Sequence, residues 1–185
     1  MNITGGRYNR QKITAPDEHI TRPTLSKVRM GVFNTLSSIM EFEEKSFLDM
    51  YAGSGIMGLE AISRGFSKLT AIEYNKKVYS IIKKNFSKYE KENDIKLFLG
   101  DSQKVCTKLT DKFDVIYIDP PYFSGVYEKS LDSVKHLTSG IIILEHTLNL
   151  SDSGNADTIL LSDEFEIIKQ KKYADKFITF LKYNN

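Results

Sequence analysis

From residue 46 onward the chain alternates short apolar runs with segments of helical spacing, and this alternation limits the fold more than any other feature. Ser46–Met50, Lys68–Glu73, Ile95–Leu99, Phe113–Ile118 and Ile141–Leu144 read as strands. Between them, 56–64, 76–91, 102–109 and 126–137 read as helices. The second of these carries Val78, Ile81, Ile82, Phe86 and Tyr89 on one face. Repeated strand–helix units predict an α/β domain with a mostly parallel sheet covered on both faces. Two last strand-like runs, 164–170 and 176–183, have no helix between them and are expected to pair antiparallel at the sheet edge. Upstream, 2–14 reads as an irregular hairpin turning at Gly5-Gly6, 15–23 as a loop, and a helix is expected from Thr24 to Met40. Asn149–Asp157 is polar and reads as a loop. The organisation expected is a small N-terminal hairpin and helix over 1–40 and a main domain over 41–185.

Composition narrows the setting. No apolar run approaches the roughly 20 residues of a membrane span, and MNITGGRYNRQK contains no apolar core of a secretory signal. The single Cys106 has no internal disulfide partner, and no Cys/His cluster points to a metal. A reducing cytoplasm and no membrane partner are expected. The formal net charge is +2, but it is unevenly spread. Residues 1–30 hold six Lys/Arg (Arg7, Arg10, Lys12, Arg22, Lys27, Arg29) against Asp17 and Glu18. A basic arm on a near-neutral body fits a polyanion partner or an ordinary solvated tail.

Ligands of such sheets bind beyond the carboxyl ends of the strands. After the first strand the chain reads Asp49-Met50-Tyr51-Ala52-Gly53-Ser54-Gly55-Ile56-Met57-Gly58, in which Gly53, Gly55 and Gly58 match a GxGxxG nucleotide loop. Glu73 ends the second strand, where a carboxylate can accept both hydroxyls of a ribose. To this point a Rossmann-like dinucleotide site fits equally well. Asp49 shifts the balance: a carboxylate inside the loop would repel a pyrophosphate but can accept an ammonium. Asp101, followed by Ser102 after the third strand, can accept an adenine amine or simply cap the next helix. Three acids without a nearby Lys or Arg suit a zwitterionic sulfonium cofactor.

The fourth strand runs into Asp119-Pro120-Pro121-Tyr122. Two prolines make a rigid segment without N–H groups whose carbonyls still accept. An exocyclic base amine offers two N–H donors, one for the Asp119 carboxylate and one for the Pro120 carbonyl. Tyr122 can stack on the base. Glu145, ending the fifth strand, reads either as part of the base pocket or as a strand-end cap. His19, His136 and His146 show no nucleophile or metal pattern.

These segments resemble a known family. DMYAGSGIMGLEAISRG at 49–65 and YIDPPY at 117–122 look like the motifs of the RsmD-type methyltransferases. ITGGRYNRQKI at 3–13 and RPTLSKVRMGVFNTL at 22–36 are similar to that family's N-terminal hairpin and helix. The resemblance implies a Rossmann-like, seven-stranded class I methyltransferase sheet and S-adenosyl-L-methionine as methyl donor. It also implies a monomer acting on guanine N2 at position 966 of 16S rRNA in the assembled or assembling small ribosomal subunit. By position, Asp49, Tyr51, Ala52, Gly53, Ser54, Gly55, Glu73, Asp101 and Ser102 would bind cofactor, and Asp119, Pro120, Pro121 and Tyr122 would hold the target amine. Arg7, Arg10, Lys12, Arg22 and Thr24 would contact RNA. An adenine-N6 methyltransferase and a noncatalytic RNA-binding assembly factor are the alternatives.

Overall fold

The computed structural model describes residues 1–17, 25–121, 125–151 and 158–184. The elements in chain order are α1 (Ser26–Leu36), β1 (Ser46–Asp49), α2 (Ile56–Ser63), β2 (Lys68–Glu73), α3 (Lys76–Phe86), β3 (Asp94–Leu99), α4 (Ser102–Cys106), β4 (Phe113–Ile118) and α5 (Val126–Val134). After a 3-10 turn (Lys135–Leu137) come β5 (Thr138–His146), β6 (Asn149–Ser151), β7 (Thr158–Leu160), β8 (Phe165–Tyr173) and β9 (Lys176–Tyr183).

Seven strands form one sheet in the order β3-β2-β1-β4-β5-β9-β8. The first five run parallel and β9 and β8 close the sheet antiparallel, as the alternation and the helix-free C-terminal runs require. Successive side chains of the central strands go to opposite faces. Phe47, Val115, Tyr117, Ile143 and Phe180 join the core under α1, α2 and α3. Leu48, Ile116, Ile118, Leu144 and Leu181 join the core under α4 and α5.

All eight residues of α2 are buried, although it lies outside the sheet. The cover is the N-terminal arm, whose Ile3 and Ile13 belong to the same core. The arm is a wide loop, with one antiparallel bridge between Asn2 and Lys12 and flanking Ile3 N–H to Gln11 O and Ile13 N–H to Met1 O bonds. Gly6 sits at φ +74°, and a Cβ there would fall 1.9 Å from the Ser63 carbonyl oxygen. Only glycine lets the arm lie this close to the end of α2.

Several boundaries differ from the sequence reading. The described part of the first helix begins at Ser26 with Leu25 at the cap; the expected cap, Thr24, lies outside the described residues. That helix ends at Leu36 rather than Met40, where Ser37 and Ser38 bond back to the carbonyls of Asn34 and Thr35 and compete with helix propagation. α3 stops at Phe86, and Tyr89 instead packs on Tyr8 of the arm at 4.7 Å and donates to Gln11. The segment read as a polar loop contributes β6, which pairs in parallel with β7 in a separate two-stranded sheet. Ile159 and Leu161 bury against the α5 side of the core and hold that small sheet in place.

Candidate active site

Every parallel strand ends at the same edge of the sheet, and the described residues there enclose a cleft of about 580 Å³. Tyr51, Gly53, Glu73, Asp101, Ser102, Asp119, Pro120 and Pro121 line it, together with Gln103, Val126 and Lys176. The structure thus brings the glycine loop, the acid after β2, the residues after β3 and the Asp-Pro-Pro segment to one space. Its volume lies in the range of small-molecule sites.

The loop after β1 is built around two carboxylates. Glu73 accepts the Gly53 N–H at 3.0 Å through one oxygen and the Asn75 N–H at 2.7 Å through the other. Burial pushes the Glu73 carboxyl upward, against the pull of these backbone donors. With the Tyr74 N–H as a further backbone donor, the carboxylate, which has about four acceptor positions, still has capacity for a ligand hydroxyl. Gly53 is at φ +54°, with no neighbouring atom nearer than 3.9 Å to the position of a Cβ. Its backbone therefore faces open space from which a ligand can approach closely. Gly55, at φ +75°, faces inward, and a Cβ would stand 2.8 Å from the Phe86 ring.

Asp49, the last residue of β1, lies beneath the loop. It is 1% exposed and accepts the Gly58 N–H at 3.2 Å, pinning the loop to the first turn of α2 from below. It does not line the cleft among the described residues, nor do Ala52, Ser54 and Gly55. Burial pushes its carboxyl up to about 7, opposed by the Gly58 N–H and reinforced by Glu73. Asp101 caps α4 through the Lys104 N–H at 3.0 Å and also lines the cleft. Tyr51 reaches across to Ser130 of α5, oxygen to oxygen at 2.7 Å.

Asp119 leaves β4 half-buried with Pro120 buried beside it. Among the described residues nothing donates a hydrogen bond to its carboxylate. Its carboxyl is pushed up to about 8, by burial first, then by Glu145, with Lys176 opposing and Asp49 adding. Tyr122 lies outside the described residues. Behind Asp119 stands a group that sequence reasoning left undecided or missed. Glu145, fully buried, accepts from the Tyr117 hydroxyl through one oxygen and from Lys176 through the other. Burial and the Glu145 charge hold the Tyr117 hydroxyl well above its ordinary range. The signal for Glu145 was its position, one residue past Leu144, which pairs with Ile118. Lys176 carried no signal, because its approach depends on the antiparallel return of β9. His146 is satisfied by Leu148 O at 2.6 Å and Thr179 Oγ1 at 2.8 Å.

Among the described residues the basic arm does not line this cleft. The arm turn rests on the C-terminal end of α2, where Arg7 N–H meets Ser63 O, and Arg7 pairs with Glu92 at 2.7 Å just before β3. These are features of the opposite edge of the sheet. Arg10 and Lys12 are exposed on the same arm. Arg22 and Thr24 lie outside the described residues. Arg29, counted with the basic arm from sequence, is 2% exposed and belongs to a buried cluster with Glu60. Among the described residues no group of three or more His, Cys, Asp or Glu could hold a metal ion, and no helix is long and apolar enough to cross a membrane.

Comparison with known proteins agrees with this architecture. The family model described as Conserved hypothetical protein 95 matches residues 1–182. The Ribosomal RNA small subunit methyltransferase D of Buchnera aphidicola subsp. Acyrthosiphon pisum is 31% identical over 135 residues, 72% of this chain and 69% of that protein. Its namesake from Escherichia coli K12 is 29% identical over 132 residues, 71% of this chain and 65% of its own length. The solved structure of yhhF from Escherichia coli shares the fold, with a TM-score of 0.82 at 21% identity, covering 100% of this chain and 98% of that one. Motifs, sheet order and the full-length family match converge, and the chain belongs to the RsmD-type methyltransferase family.

Proposed function

We propose that this chain transfers a methyl group from S-adenosyl-L-methionine to the exocyclic N2 amine of guanine 966 in small-subunit rRNA, acting as a cytoplasmic monomer on the assembled or assembling subunit. The observation that carries the reading is the shared cleft: Gly53, Glu73 and Asp101 on one side, Asp119 and Pro120 on the other. The donor set fits the cofactor. Acids and backbone groups surround the glycine loop, suiting a neutral ribose, an adenine amine and a cationic centre, and among the described residues Lys176, paired with Glu145, is the one basic side chain lining the space. When bound, the sulfonium supplies an electrophilic methyl, so that a C–S bond breaks as the N–C bond forms.

The remaining work falls to this chain's residues. Glu73 accepts the ribose hydroxyls, and Asp101 the adenine amine. The Asp119 carboxylate takes one N–H of the target amine and the Pro120 carbonyl the other, which holds the nitrogen in line. Tyr122 stacks on the base. As nitrogen becomes positive, Asp119 stabilises the charge and then accepts the leaving proton. Its elevated affinity for a proton suits a base working near neutrality. Arg7, Arg10, Lys12, Arg22 and Thr24 supply RNA contacts away from the target base.

The test is to incubate the protein with radiolabelled cofactor and small subunits lacking this methylation, then map the label. Label on guanine N2 is expected, with Asp119→Ala abolishing transfer while retaining most cofactor affinity. Label on adenine N6, or cofactor binding without transfer, would overturn the proposal in favour of the alternatives.

A further inference from the structure

Asp119 is not alone at the floor of the cleft. Leu144 of β5 pairs with Ile118 of β4, so the next residue along β5, Glu145, runs level with Asp119. β9 returns antiparallel, with Ile178 opposite Glu145. Two residues earlier and on the same face of the sheet, Lys176 reaches back to the Glu145 carboxylate. Its side chain is four-fifths covered and forms part of the cleft wall beside Asp119 and Pro120. Below, the Tyr117 hydroxyl fixes the other Glu145 oxygen. The charged and titratable groups facing Asp119 are therefore Asp49 from β1, Tyr117 from its own strand, Glu145 from β5 and Lys176 from β9. Arg29 of α1 acts on Tyr117 from behind.

We infer that Glu145 and Lys176 are positioning residues that act in opposite senses on the Asp119 side chain and together set its strength as a base. The inference rests on the methyl-transfer reading of Asp119. Three carboxylates in a water-poor space cannot all remain ionised without a cation among them. If Asp119 picked up a proton, one of its oxygens would become a donor, leaving only the weaker carbonyl oxygen to accept the amine N–H and no base for the leaving proton. Lys176 opposes that protonation, while the Glu145 charge favours it. Glu145 strengthens Asp119 as a proton acceptor, and Lys176 limits that effect, keeping the ionised form accessible. Glu145 is fully buried and acts on Asp119 without touching substrate.

The test follows kcat/KM for methyl transfer against pH, which reports the free enzyme's essential groups. It also follows the Asp119 carboxyl directly by carbon-13 NMR titration, which needs no substrate. In Lys176→Met the Asp119 midpoint moves up by about one pH unit or more. Activity near pH 7 then falls about tenfold and recovers at higher pH. Glu145→Gln, which keeps an acceptor for Tyr117, moves the midpoint down. The double variant, free of a buried unpaired charge and so the safer fold, returns close to wild type, and Lys176→Arg restores the wild-type profile. A merely structural lysine would lower activity equally at every pH and leave both midpoints in place, which would overturn the inference. If wild-type protein transfers no methyl group, the methyl-transfer reading fails, and the NMR midpoints still decide whether Glu145 and Lys176 control Asp119.

Discussion

Replacing Glu60 by Gln should be one of the most destabilising conservative changes available in this chain. Glu60 is fully buried on α2. It accepts the Thr4 N–H at 2.9 Å, the Thr4 hydroxyl at 2.6 Å and Arg64 Nε at 2.9 Å, and stands 3.7 Å from Arg29 Nε. Arg29 in turn donates to the Asn2 carbonyl at 2.8 Å and to Ser26. One carboxylate thus ties the arm, α1 and α2 together. Glutamine keeps an acceptor for Thr4 but removes the Glu60 charge that faces the Arg29 guanidinium, itself 2% exposed. Breaking one side of a buried pair costs about 3–5 kcal/mol, which for a domain of this size lowers Tm by roughly 10 °C. Urea melts followed by circular dichroism give the free energy, and limited proteolysis shows whether residues 1–17 are released first. The double change Glu60→Leu with Arg29→Met should cost clearly less than the two singles together. A loss below about 0.5 kcal/mol for Glu60→Gln, the range of a surface substitution, would refute the account of the cluster as an electrostatic clamp.

Two further outcomes follow from the same coordinates. The Asp49 carboxyl is held at about 7 against an ordinary value of 3.8, so between those pH values the folded state keeps a proton that the unfolded chain has released. Its contribution to stability is therefore complete below about pH 4 and is lost as pH rises through 7, up to about 4 kcal/mol in all. Asp49→Asn should flatten this fall in urea melts between pH 5 and pH 8, and an unchanged slope would show that Asp49 does not titrate there. Neutralising Arg7, Arg10 and Arg22 together should weaken rRNA binding and reduce its salt dependence while sparing cofactor affinity; filter-binding at several salt concentrations reads both, and unchanged RNA affinity would leave the arm a purely structural device.

The sheet was legible because its strands are signalled locally, by short apolar runs each followed by a glycine or an acid. The same locality made Gly53, Glu73, Asp101 and Asp119 readable, since each follows a strand end on its own. What escaped depends on partners distant in sequence. Asp49 gave no sign of its backbone partner, the Gly58 N–H nine residues on, which is hidden until the loop folds back. Arg29 looked like one more cation of a basic arm, because burial against Glu60, 31 residues later, leaves no trace in a charge count. Lys176 and Glu145 likewise meet across 31 residues, in a register that only the antiparallel β5–β9 pairing fixes. The pairing of β6 with β7 was invisible for a simpler reason: three-residue strands flanking a polar stretch carry too little period to register.

Gly31, in the middle of α1, gives the arrangement a mechanical side. A methyl group at this position would fall 1.9 Å from the hydroxyl of Tyr173, and Tyr173 is the residue that faces Lys176 across the tip of the β8–β9 hairpin. The first helix therefore acts as a stop against which the hairpin tip is seated. Alanine at 31 would force the Tyr173 ring to give way and loosen that seat, so the middle of the first helix and the hairpin that carries Lys176 cannot be varied independently.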